Sequence, residues 1–110
     1  MSEQLRSITI KTGIVRRLAK ELNMYRDEEK KEKEKVQKMK ESGADPYDIK
    51  YAVGAESIMN ESSAMVPDTE QRLKVAIKDL TSCLEENQSL EKTDEFQAAT
   101  EILENATSIQ

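Results

Sequence analysis

Residues 8–39 read ITIKTGIVRRLAKELNMYRDEEKKEKEKVQKM, a stretch whose apolar side chains recur in steps of three and four. The positions that would line one seam of a helix are Ile8, Lys11, Val15, Leu18, Leu22, Tyr25, Glu29, Glu32, Val36 and Met39. Seven of these ten residues are apolar, and the period of two that is typical of a strand fits the stretch poorly. The repeat therefore predicts a long amphipathic helix over about residues 3–41.

A turn follows this helix at Ser42-Gly43-Ala44-Asp45-Pro46. Gly43 suits the left-handed conformation that closes a helix. Asp45 suits the N-cap of the next helix, and Pro46 suits its first turn. Because this connection is short, the second helix is expected to run antiparallel to the first, over about residues 46–86.

The second helix has its own apolar positions, and Pro67 lies among them. They are Ile49, Ala52, Val53, Met59, Val66, Leu73, Ile77, Leu80 and Leu84. A proline inside a helix removes one backbone hydrogen bond and usually bends it. Since the apolar phase continues through Pro67, we expect a kink near that residue and no break.

A third helix is predicted over about residues 90–108, with Ser89 as its cap. Its buried side would carry Phe96, Ala99, Ile102, Leu103, Ala106 and Ile109. This side would pack where apolar residues are densest, on Ile8–Leu22 and Leu73–Leu84. We therefore predict an all-α fold: one domain, residues 1–110, forming an elongated antiparallel three-helix bundle that resembles a coiled coil and is thinner toward the first turn.

Composition narrows the function to binding. Net charge is −5 and the sequence pI is about 4.9, which argues against nucleic acid as the main partner. A local basic cluster could still meet an acidic protein surface, or could be a solvated helix flank; it consists of Lys11, Arg16, Arg17 and Lys20.

The residues needed for catalysis or cofactor binding are missing from the sequence. It contains no histidine, its three glycines are scattered, and its acids lack the spacing of a calcium loop. Cys83 is the single cysteine and suits a small core residue in a reducing compartment. No run of residues is long and apolar enough for a membrane span. We therefore expect a soluble cytosolic protein without enzymatic activity, metal or nucleotide.

Four short strings, in this order, resemble the tubulin-specific chaperone A (tubulin-binding cofactor A) family. They are Ile10–Leu18, Met24-Tyr25, Asp45–Lys50, and Glu61-Ser62 through Met65-Val66-Pro67-Asp68 to Arg72-Leu73. The resemblance covers about residues 5–85. It implies a three-helix bundle in the cytoplasm, associated with the cytoskeleton. Such a protein captures β-tubulin folding intermediates released from the cytosolic chaperonin and passes them on, with other tubulin-folding cofactors, toward the α/β-tubulin heterodimer.

The same resemblance marks a set of candidate partner-binding residues. They are Lys11, Arg16, Arg17, Tyr25, Tyr47, Asp48, Lys50, Glu61, Met65, Pro67, Asp68 and Arg72. Simpler structural roles remain open for several of them. Tyr25 lies in the seam, the string from Asp45 to Asp48 also suits a turn and a cap, and Pro67 could bend the helix either without function or to shape a concave tubulin-facing surface. The alternative function is a non-catalytic coiled-coil adaptor or scaffold.

The chain also departs from the family pattern in its second helix. Where the family usually has a string with a basic residue and a large apolar residue, this chain lacks both. It has Ser63, Ala64, Met65, Val66 and Thr69 there. The stretch from Ile49 to Glu61 is about three residues longer than the corresponding stretch of the family pattern. Both departures bear on the contact role of residues 55–64 and leave the predicted fold unchanged.

Overall fold

The structure is a computed structural model that describes the backbone of residues 2–43 and 46–110, and the side chains of residues 2–43 and 64–110. Over these residues the chain forms α1 (Glu3–Glu41), α2 (Pro46–Glu86), a short 3-10 helix (Gln88–Leu90) and α3 (Asp94–Ile109). No strand occurs among them. The predicted all-α, three-helix fold is confirmed.

The seam predicted for α1 is the buried side of that helix. All ten seam positions are buried or half-buried, and Ile8, Val15 and Leu22 are fully buried. Thr12 is buried beside them, and its hydroxyl donates a hydrogen bond to the Ile8 carbonyl at 2.6 Å. The heptad repeat therefore identifies the core side of α1 from end to end.

The charge run in the second half of α1 is held by pairs one turn apart. Lys31 Nζ lies 3.1 Å from Asp27 Oδ2, and Lys33 Nζ lies 2.7 Å from Glu29 Oε1. Such pairs each stabilise a helix by about 0.2–0.5 kcal/mol. They explain how this segment stays helical although Glu29 and Glu32 occupy seam positions.

The turn after α1 has the predicted glycine conformation. Gly43 has a φ of 67°, the left-handed region that glycine reaches without steric cost. The expected cap, Asp45, lies outside the described residues, and α2 begins at Pro46 as predicted. The helix continues through Pro67 without a break; the bend at that residue stays a prediction.

In the described half of α2, the core is formed by residues of the segment 73–84. Leu73 and Leu80 are fully buried, and Cys83 and Leu84 are buried beside them. Val66 and Ile77 are half-buried, whereas the predicted apolar positions 49–59 lie outside the described side chains. The interpretation of Cys83 as a core residue is confirmed, since its thiol is free and buried.

The start of α3 differs from the prediction. Ser89 is not the cap, because it lies inside the 3-10 helix Gln88–Leu90. The chain turns again after this 3-10 helix, and Thr93 is the N-cap of α3. Its hydroxyl oxygen accepts a hydrogen bond from the Phe96 N–H at 3.3 Å. Ser89 and Thr93 are both acceptable caps in isolation, so the extra turn decides which of them is used. The buried side of α3 is as predicted, with Ala99 and Ala106 buried and its larger apolar residues half-buried.

Replacing Thr93 by alanine should destabilise α3. The substitution removes the acceptor for one backbone N–H of the first turn, and we expect a loss of about 0.5–2 kcal/mol in the free energy of unfolding. Urea denaturation followed by circular dichroism measures it. Thr100→Ala is the matched control, because Thr100 is exposed and its hydroxyl only donates to the Phe96 carbonyl within α3. Equal effects of the two substitutions would contradict the capping role of Thr93.

The described chain divides into two compact units. Unit 1 comprises Met1–Glu21 and Thr69–Gln110, and therefore contains parts of α1 and α2 together with the whole of α3. Unit 2 comprises Leu22–Asp68 and contains only parts of α1 and α2. Three helices thus contribute to unit 1 and two to unit 2. The single-domain assignment stays a prediction.

Candidate partner surface

An ion pair joins α1 and α2 on the surface of unit 1. Lys11 Nζ donates a hydrogen bond to Asp79 Oδ1 at 2.9 Å, and the Lys11 side chain is 29% exposed against 58% for Asp79. The hydrogen bond to Asp79 raises the pKa of the Lys11 ammonium above its usual 10.5. Partial desolvation opposes this rise, and the nearby charges of Asp79, Cys83 and Glu86 add to it. Lys11 is thus a seam residue whose charged end reaches the surface.

Exposed apolar side chains lie within one helical turn of each member of this ion pair along the chain. Ile10 is 54% exposed, Ile14 is 38% exposed and Val75 is 59% exposed. Ile14 lies one turn beyond Lys11 on α1, and Val75 lies one turn before Asp79 on the antiparallel α2, so both lie on the same side of the ion pair. We refer to Ile10, Lys11, Ile14, Val75 and Asp79 as the α1–α2 face.

The ion pair makes stability depend on pH in the alkaline range. A lysine whose pKa is higher in the folded state stabilises the fold fully below its unfolded pKa of about 10.4, and this contribution disappears as pH rises through the folded pKa. Because the pair is partly exposed, Asp79→Asn should cost at most about 1 kcal/mol at pH 7. Urea denaturation of both proteins from pH 7 to pH 12 should show the difference shrinking above pH 10.5. A difference that does not shrink as pH rises through this range, or one that survives in a Lys11→Met background, would contradict this assignment.

The structure places four of the predicted partner-binding residues in unit 1. Lys11 belongs to the α1–α2 face. Arg17 is exposed on α1, with its Nε 3.9 Å from Glu21 Oε1. Arg16 is exposed and lies in a groove between α1 and α3, and Arg72 is exposed on α2. These residues therefore point away from the core, but they do not converge on one spot.

The other eight predicted residues belong to unit 2. Tyr25 is half-buried in the seam, and Met65, Pro67 and Asp68 are exposed on α2. The remaining four lie outside the described side chains; they are Tyr47, Asp48, Lys50 and Glu61.

Sequence reasoning missed four members of the α1–α2 face: Ile10, Ile14, Val75 and Asp79. The sequence does indicate that the two isoleucines are exposed, because both lie outside the seam that contains Ile8 and Val15. Val75 is likewise off the core positions occupied by Leu73 and Leu80. Apolar residues that the core does not use could have been singled out as surface contacts.

No helix among the described residues is long and apolar enough to cross a membrane. Among the same residues, no group of three or more acidic or cysteine side chains lies close enough together to hold a metal ion.

Comparison with known proteins shows where this helical chain belongs. The sequence model described as tubulin binding cofactor A matches residues 3–103. The chain belongs to the tubulin binding cofactor A family. Within this family it is 46% identical to tubulin-specific chaperone A of Gallus gallus over 102 residues, covering 93% of this chain and 92% of the relative.

Solved structures of the tubulin binding cofactor A family have the same fold. Tubulin folding cofactor A from Arabidopsis thaliana superposes with a TM-score of 0.83 at 35% identity, covering 96% of each chain. Human tubulin chaperone cofactor A superposes with a TM-score of 0.81 at 39% identity, covering 94% of this chain and 98% of that one. The resemblance inferred from four short strings is confirmed.

Proposed function

We propose that this chain is a non-catalytic tubulin-folding cofactor that captures β-tubulin folding intermediates released from the cytosolic chaperonin. It holds them without nucleotide in the cytoplasm and passes them, with other tubulin-folding cofactors, toward the α/β-tubulin heterodimer. Family membership supports tubulin as the partner, because the relatives are named tubulin-specific chaperones and tubulin-folding cofactors. The narrower role, in β-tubulin capture, follows from the family resemblance of the sequence.

The observation that carries the proposal is the α1–α2 face of unit 1. Three exposed apolar side chains, Ile10, Ile14 and Val75, lie within one helical turn of Lys11 or Asp79, which form an ion pair. Exposed apolar side chains next to charged ones are typical of surfaces that bind other proteins. A folding intermediate exposes apolar surface that its final partner will later cover, and a face of this kind can cover that surface reversibly.

The twelve residues predicted from the family resemblance remain proposed contacts. In unit 1 these are Lys11, Arg16, Arg17 and Arg72, all of which are cationic. Salt should weaken the contribution of such exposed charges more than that of the apolar side chains.

The coiled-coil adaptor is the weaker alternative. An adaptor of that kind needs a seam that pairs with another chain. Here the seam residues Ile8, Val15 and Leu22 are fully buried within a single chain. The surface that remains for a partner is therefore the outside of the bundle.

A capture assay tests the proposed function. Labelled β-tubulin freshly released from the chaperonin is mixed with the purified chain, and complexes are separated by native electrophoresis. We expect a discrete complex that forms without added nucleotide, and much weaker capture of assembled α/β-tubulin heterodimer. Failure to form a complex with released β-tubulin, or equal capture of the heterodimer, would overturn the proposal.

A further inference from the structure

Two heptad positions of α1 face α3 in unit 1. The groove between these helices is lined by Thr9, Thr12 and Arg16 of α1 and by Asp94, Glu95 and Ala98 of α3. Thr9 and Arg16 are seven residues apart and share one heptad position, while Thr12 occupies the other. Residues seven apart lie on nearly the same side of a helix, so these two positions define one stripe along α1.

This stripe contains no acidic residue anywhere in α1, although the helix has eight. Along α1, the heptad position of Thr9 and Arg16 is next occupied by Asn23, Lys30 and Gln37. The heptad position of Thr12 is next occupied by Ala19, Arg26, Lys33 and Lys40. Even within the charge run Asp27–Lys35, every acid falls outside the stripe. The stripe is therefore basic through the whole part of α1 that belongs to unit 2.

In unit 2 this basic stripe borders a groove. Six residues line this groove, namely Arg26, Glu29, Lys30, Lys33 and Glu34 of α1 and Val66 of α2. Within it, Lys33 Nζ lies 2.7 Å from Glu29 Oε1. Unit 2 is built only from parts of α1 and α2, so no third helix belongs to it. We refer to Arg26, Lys30, Lys33 and Val66 as the unit 2 groove.

The exposure of Val66 shows that the apolar part of this groove is only partly covered. Val66 precedes Leu73 and Leu80 by seven and fourteen residues and shares their heptad position. Both leucines are fully buried in the three-helix unit, whereas Val66 is only half-buried. The same heptad position is thus fully buried in the three-helix unit and only half-buried in the two-helix unit.

The composition of α3 indicates what kind of helix fits such a stripe. It carries four acidic residues, Asp94, Glu95, Glu101 and Glu104, and no lysine or arginine between Asp94 and Ile109. Two of these acids share the groove with Arg16. The chain's own third helix is therefore acidic and amphipathic, and it packs on the stripe that continues, more basic, into unit 2.

We propose that the unit 2 groove binds an acidic amphipathic helix of a partner protein. The acids of that helix would meet Arg26, Lys30 and Lys33, and a small apolar side chain would cover Val66. Glu29 and Glu34, which also line this groove, disfavour a uniformly anionic ligand and favour a helix whose acids form one stripe. The inference goes beyond the proposed function, because it holds whichever protein supplies the helix.

Titration of the full chain with a helical probe tests this inference without tubulin. The probe is an acetylated and amidated peptide with the sequence of residues 93–110, and a second peptide has its four acids replaced by lysine. We expect the acidic peptide to shift the amide NMR signals of Arg26, Lys30, Lys33 and Val66, with weaker binding as salt is raised. The lysine peptide should leave those signals in place.

Charge variants locate the site. Lys30→Glu combined with Lys33→Glu should weaken binding of the acidic peptide by about tenfold, because two attractive contacts become repulsive. Lys35→Glu is the matched control, since Lys35 is also exposed on α1 but lies outside the groove, and it should change affinity less than about twofold.

Three outcomes would overturn the inference. Equal weakening by the control would show nonspecific attraction, and shifts confined to Thr9, Thr12 and Arg16 would show that the peptide displaces the chain's own α3. Self-association of the chain that the double variant abolishes would show that a second copy, and no partner protein, occupies the groove.

Discussion

Leu73→Ala is expected to lower the free energy of unfolding by about 2–5 kcal/mol, the largest effect on stability that we predict. Leu73 is fully buried in unit 1, and alanine would leave a cavity where three side-chain carbons are lost. Domains of this size have only about 5–15 kcal/mol of stability in total. Fully buried large side chains are few here, being Ile8, Val15, Leu22, Leu73 and Leu80 among the described residues. A single truncation therefore removes a large share of what holds the helices together.

Urea denaturation followed by circular dichroism at 222 nm measures this effect, since loss of the bundle unfolds nearly all of the backbone. Val75→Ala is the matched control, because Val75 lies two residues away on the same helix and is 59% exposed. We expect it to change stability by less than about 0.5 kcal/mol, because it buries little and alanine favours a helix. Similar losses for the two variants would mean that burial does not set the stability of α2.

The helices and their buried sides could be predicted because local rules and packing agree there. In α1 the heptad repeat alone identifies Ile8, Val15, Leu18 and Leu22 as core. Gly43 and Pro46 end and begin helices through their own backbone restrictions, which need no tertiary information. The predicted cap of α3, Ser89, was wrong because Ser89 and Thr93 offer equal capping chemistry. Only the 3-10 helix that contains Ser89 decides that Thr93 is used.

The candidate surface was predictable only in part. Lys11 was singled out, but its partner Asp79 is 68 residues away in sequence, and the contact depends on the axial register between α1 and α2. The spacing of apolar residues predicts which face of each helix is buried, but it does not predict the axial register between two helices. The residues suggested by family resemblance are distributed over two units, and the exposure of Ile14 and Val75 becomes evident only in the folded chain.

Placing two carboxylates on the α1–α2 face should abolish capture of β-tubulin while leaving the bundle folded. In the variant Ile14→Glu with Val75→Glu, a partner covering this face would have to bury two charged groups without partners. Each buried polar group left unsatisfied costs about 1–3 kcal/mol or more, so the complex should weaken by at least about tenfold. Both positions are exposed in the free protein, and the free energy of unfolding should therefore change little.

The capture assay with chaperonin-released β-tubulin measures this loss, and urea denaturation of the same variant separates it from unfolding. Gln97→Glu is a useful control, because it adds one negative charge at an exposed position of α3, outside the α1–α2 face. If Gln97→Glu weakens capture as much as the double variant does, net charge and not this face governs binding. If the folded double variant captures β-tubulin as well as the parent, the partner binds elsewhere. The unit 2 groove would then be the next surface to test, because its charge variants leave Ile14 and Val75 intact.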